Sequence, residues 1–243
     1  MVRGALAKCL PDDSTIRGWY AKVNGNPGFT KESFEGLEGY AKNKAEAGED
    51  VKVCLLMDAM HIRKHVDGGY GIVSGYVTCG DEFPDMGFGK SNPNRTLATQ
   101  ALVLMVVGIN DTFRLPVAYF LIKSFSAAEQ SSLVTTCLTN LHDIGVDVEC
   151  LTFDGHPTNI ATGVDLGAWL YAQTYQCAKA LKVNFPHTST KKPVNIMQDA
   201  CHVLKLARNA LGDKGHFRDS RGRDVHWHFV EELQKLQLFV PAK

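Results

Sequence analysis

The sequence lacks a net charge: 26 lysines and arginines stand against 26 aspartates and glutamates in 243 residues. No global field therefore advertises a polyanionic partner, although local patches stay open. Paired cysteine motifs are missing too. The seven cysteines, Cys9, Cys54, Cys79, Cys137, Cys150, Cys177 and Cys201, are scattered without CxxC spacing. Several fall in apolar runs, where a thiol packs as a small hydrophobe, so reduced thiols in a cytosolic or nuclear protein are expected. Residues 1–10 hold no sustained apolar stretch of the signal-peptide kind. The longest apolar run, 101–109, has strand length, far below the ~20 residues of a membrane helix. A soluble, intracellular chain without a membrane partner is the expectation. Gly68, Gly69 and Gly71 suggest a phosphate loop, but its lysine and its strand–loop–helix setting are absent.

What the chain does have is apolar substance, 44% of its residues, enough for one substantial core. Residues 11–28 are rich in turn formers, with room for a short helix at 15–22. Thr30 is placed to cap a helix running to about residue 47, with Phe34, Leu37, Tyr40 and Ala41 on one face. Near residue 51 the period changes. Residues 51–57 read as a strand buried on both faces, 72–79 as a second strand, 80–96 as a loop, and 98–109 and 113–123 as third and fourth strands. Leu133, Val134, Cys137, Leu138 and Leu141 recur at helical spacing between 125 and 145. A strand at 146–154, a helix at 157–182, a strand at 192–197, a helix at 199–211, a charged loop at 212–224 and an amphipathic helix at 227–238 complete the series. An antiparallel meander followed by alternating β and α elements is the arrangement of an RNase H-like α/β fold: a mixed sheet flanked by helices. One strand too many precedes its first core helix, which an extended or split hairpin would explain. The expected organisation is an N-terminal helical segment over 1–50, the RNase H-like domain over 51–211 and a further helical piece over 212–243.

Two aspartates stand out. Asp58 ends one apolar strand and Asp154 another, and the fold would lay the first and fourth core strands side by side. Carboxylates delivered by adjacent strands suit a site for Mg²⁺ or Mn²⁺, which prefer hard oxygen ligands. Two-metal phosphoryl transfer uses such groups to steady attacking and leaving oxygens. Asp is equally common where strands turn, and spacing alone leaves both readings open. Asp199 follows the last strand and can be a third acid or a helix N-cap, and Glu231 is a further candidate. His202 can pair with Asp199 or be structural. His226 and His228 lack the spacing of zinc ligands. Lys205, Arg208, Lys214, Arg218, Arg221 and Arg223 form a basic stretch that could meet DNA phosphate, diluted by Asp213, Asp219 and Asp224. His61, Arg63, Lys64 and His65 follow Asp58 and could edge either a substrate backbone or a hairpin.

Five segments resemble the transposases of P elements and their THAP-type relatives. Residues 10–20 (LPDDSTIRGWY) are similar to that family's LPS..TLR.WY, and 27–30 (PGFT) to its PGFT. Residues 56–64 (LMDAMHIRK) resemble DEM.IRK, 153–159 (FDGHPTN) resemble CDGA..N, and 199–209 (DACHVLKLARN) resemble DPCHMLKL.RN. Their order and approximate spacing match along nearly the whole chain. The resemblance implies an RNase H-like transposase domain that cuts and joins DNA ends with Mg²⁺, with transposon DNA as partner and Asp58 and Asp154 as catalytic, metal-holding acids. It also implies a nuclear setting and possible homo-oligomers. Ala59 stands where the family has an acidic residue, a position outside the catalytic set. In the family a GTP-binding insertion domain precedes the third acid, a glutamate, and residues 212–243 resemble the opening of that insertion. The expectation is a transposon-derived fragment without that third acid, inert alone and unable to hold GTP. A cysteine–histidine module of zinc-binding spacing before Leu10 is also missing. The alternatives are a domesticated DNA- or protein-binding domain, and a small metal-dependent nuclease that recruits Asp199 or Glu231.

Overall fold

A computed structural model describes residues 25–69, 72–80, 96–171 and 181–238. The expected helix at 15–22, most of the expected loop at 80–96, and Tyr70 and Gly71 lie outside the described residues. The chain forms two compact units, one taking in the chain up to Phe153 together with Pro157–Met197, the other Asp154–His156 and Gln198 onward.

The first unit is an α/β layer structure. Its elements in chain order are β1 (Gly28–Phe29), α1 (Lys31–Glu46), β2 (Val51–His61), β3 (Asp67–Gly69), β4 (Ile72–Ser74), β5 (Gln100–Gly108), β6 (Arg114–Ile122), α2 (Ala127–Asp143), β7 (Val146–Phe153), α3 (Pro157–Asp165), β8 (Asn184–Pro186) and β9 (Pro193–Gln198). Seven strands form one mixed sheet in the order β1-β6-β5-β2-β7-β9-β8. The first and fourth core strands, β2 and β7, are parallel neighbours, while β2–β5 and β5–β6 are antiparallel. This is the arrangement the meander-then-alternation order predicts.

Alternation places the core. Val51, Val53, Leu55 and Met57 of β2 are buried, whereas Lys52, Cys54, Leu56 and Asp58 between them are half-buried or exposed. The expectation of a strand buried on both faces is thus corrected to one fully buried face. Leu133, Val134, Cys137, Leu138 and Leu141 of α2 are wholly buried. A capping box starts this helix: the Glu129 N–H donates to Ser126 Oγ at 3.2 Å, and the Ser126 N–H to Glu129 Oε2 at 2.7 Å. Together these bonds satisfy two otherwise orphaned donors. Between α2 and α3, the buried Thr162 hydroxyl lies 2.8 Å from Gln130 Oε1, so the pair crosses the helix contact without an unmet polar group. The N-terminal segment is tied to the sheet edge. Thr30 N–H donates to Val117 O at 2.8 Å, and Phe29 meets Phe34 and Phe120 edge-on at 5.9 and 5.6 Å. Leu37 and Ala41 of α1 join the core. Thr30 is the N-cap residue as expected, although its side chain makes no capping bond.

Three local expectations are corrected. Residues 72–79 do not add a strand to the main sheet: β3 and β4 form a separate two-stranded hairpin, and only bridges at Tyr76 and Thr78 follow. Gly75 breaks the run. Its φ is +104°, and a Cβ there would lie 1.9 Å from the His65 carbonyl oxygen, so no side chain fits. That hairpin accounts for the surplus strand. The helix expected over 157–182 ends at Asp165, because Gly167 takes φ +109° and Trp169 pairs with Lys182 in a β-bridge. The third correction concerns 212–224, where Gly212–Lys214 complete a helix and the remainder makes a hairpin. The short strand β8, not foreseen, pairs with β9.

Joining β8 to β9 is a turn built on His187, which is only 4% exposed. The Ser189 N–H donates to its Nδ1 at 3.1 Å, an arrangement that requires an unprotonated nitrogen there. Burial foremost, then the nearby His142 and Lys191, hold the His187 imidazole below its ordinary value, against the backbone of Leu138 and the Asp147 carboxylate. The unfolded chain therefore takes up this proton more readily than the folded one, and stability is expected to fall as pH drops below about 6.5, until the folded group also protonates. Urea midpoints at pH 7.5 and 5.5 check this. His187→Asn, which keeps an acceptor without titrating, should lose that part of the pH dependence.

The second unit contains α4 (Ala200–Lys214), β10 (His216–Arg218), β11 (Asp224–His226) and α5 (His228–Leu238). Gly215, at φ +75°, ends α4 in the left-handed conformation. Strands β10 and β11 pair from His216↔His226 to Arg218↔Asp224. Trp227 packs beside Gly212, and its N–H donates to Gly215 O at 2.8 Å. No residue of α4 is buried; Leu204 and Leu206 of α4 and Phe229 and Leu236 of α5 are all exposed.

Candidate functional site: the aspartates of β2 and β7

Strand β2 is held on both sides. Against β5 its pairing runs from Val53↔Gly108 to His61↔Gln100. Against β7 it starts at Val51↔Val146 and ends at Leu56↔Thr152. Asp58 accordingly lies inside β2, opposite Val103, and not at a strand end as expected; the antiparallel partner carries the strand three residues past it, to His61. Asp154 follows the last residue of β7.

The β2–β7 ladder contains an irregularity. Val53 pairs with Val148, but the next residue, Cys54, pairs with Cys150, so Glu149 is an extra residue in β7. Such a bulge exchanges the faces of everything after it. Before it Val146 and Val148 of β7 belong to the main core; after it Leu151 and Phe153 do, while Cys150, also buried, lies outside that cluster. Cys150 and Thr152 thereby share parity with Cys54 and Leu56. The 3.1 Å separation of Cys54 Sγ and Thr152 Oγ1 shows the common face. Asp58 stands two residues past Leu56 and Asp154 two past Thr152, the last pair of the ladder. The sequence carries a faint trace of this device: apolar residues alternate through 146 and 148, then shift to 151 and 153.

Each aspartate is oriented by its own backbone. The Ala59 N–H donates to Asp58 Oδ1 at 2.8 Å. The His156 N–H donates to Asp154 Oδ1 at 2.9 Å, a turn of the kind Asp favours. Asp58 is exposed and Asp154 half-buried. Their carboxylate oxygens are of the chemistry that Mg²⁺ or Mn²⁺ takes. In number they fall short: among the described residues no group of three or more His, Cys, Asp or Glu is gathered to hold a metal ion.

The other candidates have different occupations. Asp199 is the N-cap of α4, its Oδ1 accepting the N–H groups of Cys201 at 2.7 Å and His202 at 3.0 Å. His202 meets it through the main chain. Glu231 sits exposed in the first turn of α5. His226 stacks on His216 at 5.9 Å and tilts against His228 at 5.9 Å. In the basic stretch, Arg218 pairs with Asp224 and Arg223 with Asp219, while Lys205, Arg208, Lys214 and Arg221 are exposed. His61, Arg63, Lys64 and His65 are exposed as well. No helix among the described residues is long and apolar enough to cross a membrane.

Comparison with known proteins follows the same outline. The family model described as "TNP-like, RNase H N-terminal domain" matches residues 25–167, and that described as "TNP-like, GTP-binding insertion domain" matches residues 201–239. The human protein DNA transposase THAP9 is 28% identical over 234 residues, which cover 94% of this chain and 24% of the human protein. The solved Drosophila P element transposase strand transfer complex is similar in fold, with a TM-score of 0.61 at 17% identity over 93% of this chain and 43% of that one. The chain thus spans about a quarter of the length of the human relative.

Proposed function

The chain belongs to the TNP-like, P element-type transposase family, whose RNase H N-terminal domain it carries over residues 25–167, and from that premise we propose that it supplies part of a metal-dependent site for DNA cleavage and strand transfer. One observation carries the reading. The bulge at Glu149 gives the parallel neighbours β2 and β7 a register whose last pair, Leu56↔Thr152, precedes Asp58 and Asp154 by two residues each, which supports a shared site. The two named relatives are a DNA transposase and a transposase strand transfer complex, which supports DNA as the substrate.

In this reading Asp58 and Asp154 hold Mg²⁺ or Mn²⁺ through carboxylate oxygens. The bound metal would supply charge stabilisation for an in-line displacement at phosphorus. The chain's own part is to place the carboxylates. The sheet fixes both strands, and a backbone N–H turns each Asp so that little reorganisation accompanies binding. In this reading Asp199, spent on capping α4, does not serve as the third acid, and among the described residues no third ligand joins a metal group. The polypeptide of residues 1–243 is accordingly expected to bind a divalent ion without cutting DNA by itself. Incubation of the wild type and Asp154→Ala with labelled duplex DNA and Mn²⁺ tests this. No cleavage by either is the expected result. Cleavage that disappears in Asp154→Ala would overturn it in favour of a self-sufficient nuclease. DNA binding indifferent to Mn²⁺ and to the substitution would favour a binding module.

A further inference from the structure

We propose that Cys54 and Cys150 form a peroxide-oxidisable thiol pair on the sheet, closing to a disulfide between β2 and β7. The same bulge that sets the aspartate register makes this pair. Had the ladder continued regularly from Val53↔Val148, Cys54 would face Glu149, and Cys150 would pair with Leu55. The register shift instead sets Cys54 directly against Cys150. Neighbouring strands run about 4.8 Å apart, inside the 4.4–6.8 Å Cα separation that disulfides span. Both thiols are unbridged in the structure. They differ in access: Cys54 is half-buried and Cys150 is 8% exposed.

The surroundings divide their roles. The Cys150 thiol, the largest influence, and the Thr152 hydroxyl both stabilise a thiolate at Cys54, bringing it down to about 7 against the opposing effect of burial. The same contact, with burial, pushes Cys150 up. The nucleophile is the thiolate, so Cys54 is the attacking sulfur and Cys150 the resolving one. The Cys54 thiolate attacks hydrogen peroxide, the O–O bond breaks, one oxygen stays on sulfur as a sulfenic acid and the other leaves as hydroxide, protonated to water. The Cys150 sulfur then attacks Cys54, the S–S bond forms, the S–O bond breaks, and the departing hydroxide leaves as water with the Cys150 proton. Two electrons pass from the two sulfurs to one peroxide, and two waters form. Cys79 and Cys137 are raised by burial, Cys79 to about 12, and stay inert.

The test is to treat the polypeptide of residues 1–243 with one equivalent of hydrogen peroxide, alkylate the remaining thiols and map peptides without reduction. The expected result is a linked Cys54–Cys150 peptide, two hydrogens lighter than its separate parts and released by dithiothreitol. Cys150→Ser should leave a sulfenic acid at Cys54 that dimedone traps, and Cys54→Ser should leave Cys150 open to alkylation. The proposal is overturned if Cys54 and Cys150 both remain alkylatable once Cys201 has been oxidised, or if Cys54 is joined to a different cysteine. Should either variant fail to fold, the wild-type map decides alone.

Discussion

Replacing Phe153 by alanine is expected to destabilise the sheet unit by about 3–5 kcal/mol, the range for removing a large buried aromatic. Phe153 is the last residue of β7 and is 1% exposed. Its ring edge would lie 3.4 Å from a Cβ built on Gly163, and Leu170 and Ile196 close on the same spot at 2.8 and 3.0 Å. The helix α3 thus comes close to β7 because position 163 has no side chain, and the ring fills what that approach leaves. Those neighbours are held by their own packing and cannot collapse fully into the gap, which is why the upper part of the range applies. A small domain has about 5–15 kcal/mol in total, so the variant should retain a folded state that melts far earlier. Urea denaturation checks it: a lower midpoint at unchanged slope is expected, and a loss under about 1 kcal/mol would show that the site relaxes or that the ring is not packed as described.

The second large effect concerns the aspartates together. Asp58→Ala and Asp154→Ala should each weaken Mn²⁺ binding by at least about tenfold, the lower end of what is lost when even supporting groups of a metal site are removed. The double variant should lose scarcely more than either single one, because the second carboxylate alone is an ordinary surface charge. Residues acting as one unit are non-additive in this way, whereas independent surface groups would add. Isothermal titration of the four proteins with Mn²⁺ distinguishes the two cases. Full additivity of the single effects would mean that Asp58 and Asp154 bind ions separately.

Much of the frame was legible in the sequence, for physical reasons that can be named. The helices α1 and α2 announce themselves through apolar residues at 37, 41 and at 133, 134, 137, 138 and 141, which the structure buries. The adjacency of β2 and β7 follows from the order of meander and alternation. Other features depend on tertiary partners. That β2 runs past Asp58 to His61 is set by β5 across the sheet; residues 58–61 (Asp-Ala-Met-His) show no apolar alternation and are all exposed. The end of α3 at Asp165 depends on Gly167 and on the bridge of Trp169 to Lys182. Residues 212–224 read as a charged loop because the two-stranded hairpin within and just beyond them has mostly exposed side chains and leaves no apolar alternation.

The candidate site shows the same division. Asp58 and Asp154 were singled out by strand-end spacing and by the family resemblance. The bulge ahead of Asp154 leaves only a faint mark in the eight residues of β7, since Cys150 and Leu151 suit either parity. Asp199 shows the reverse case, where a residue eligible as an acid is claimed by local geometry: its carboxylate oxygen already takes two amide protons of α4.

The central claim is that Asp58 and Asp154 share one divalent ion. Addition of Mn²⁺ to isotopically labelled protein, followed by amide NMR spectra, tests it most directly, because the paramagnetic ion broadens signals near its own position. The account predicts broadening around residues 57–59 and 153–156 at the same Mn²⁺ concentration, and its loss at both places in either Asp58→Ala or Asp154→Ala. Broadening around one aspartate that survives replacement of the other would contradict it.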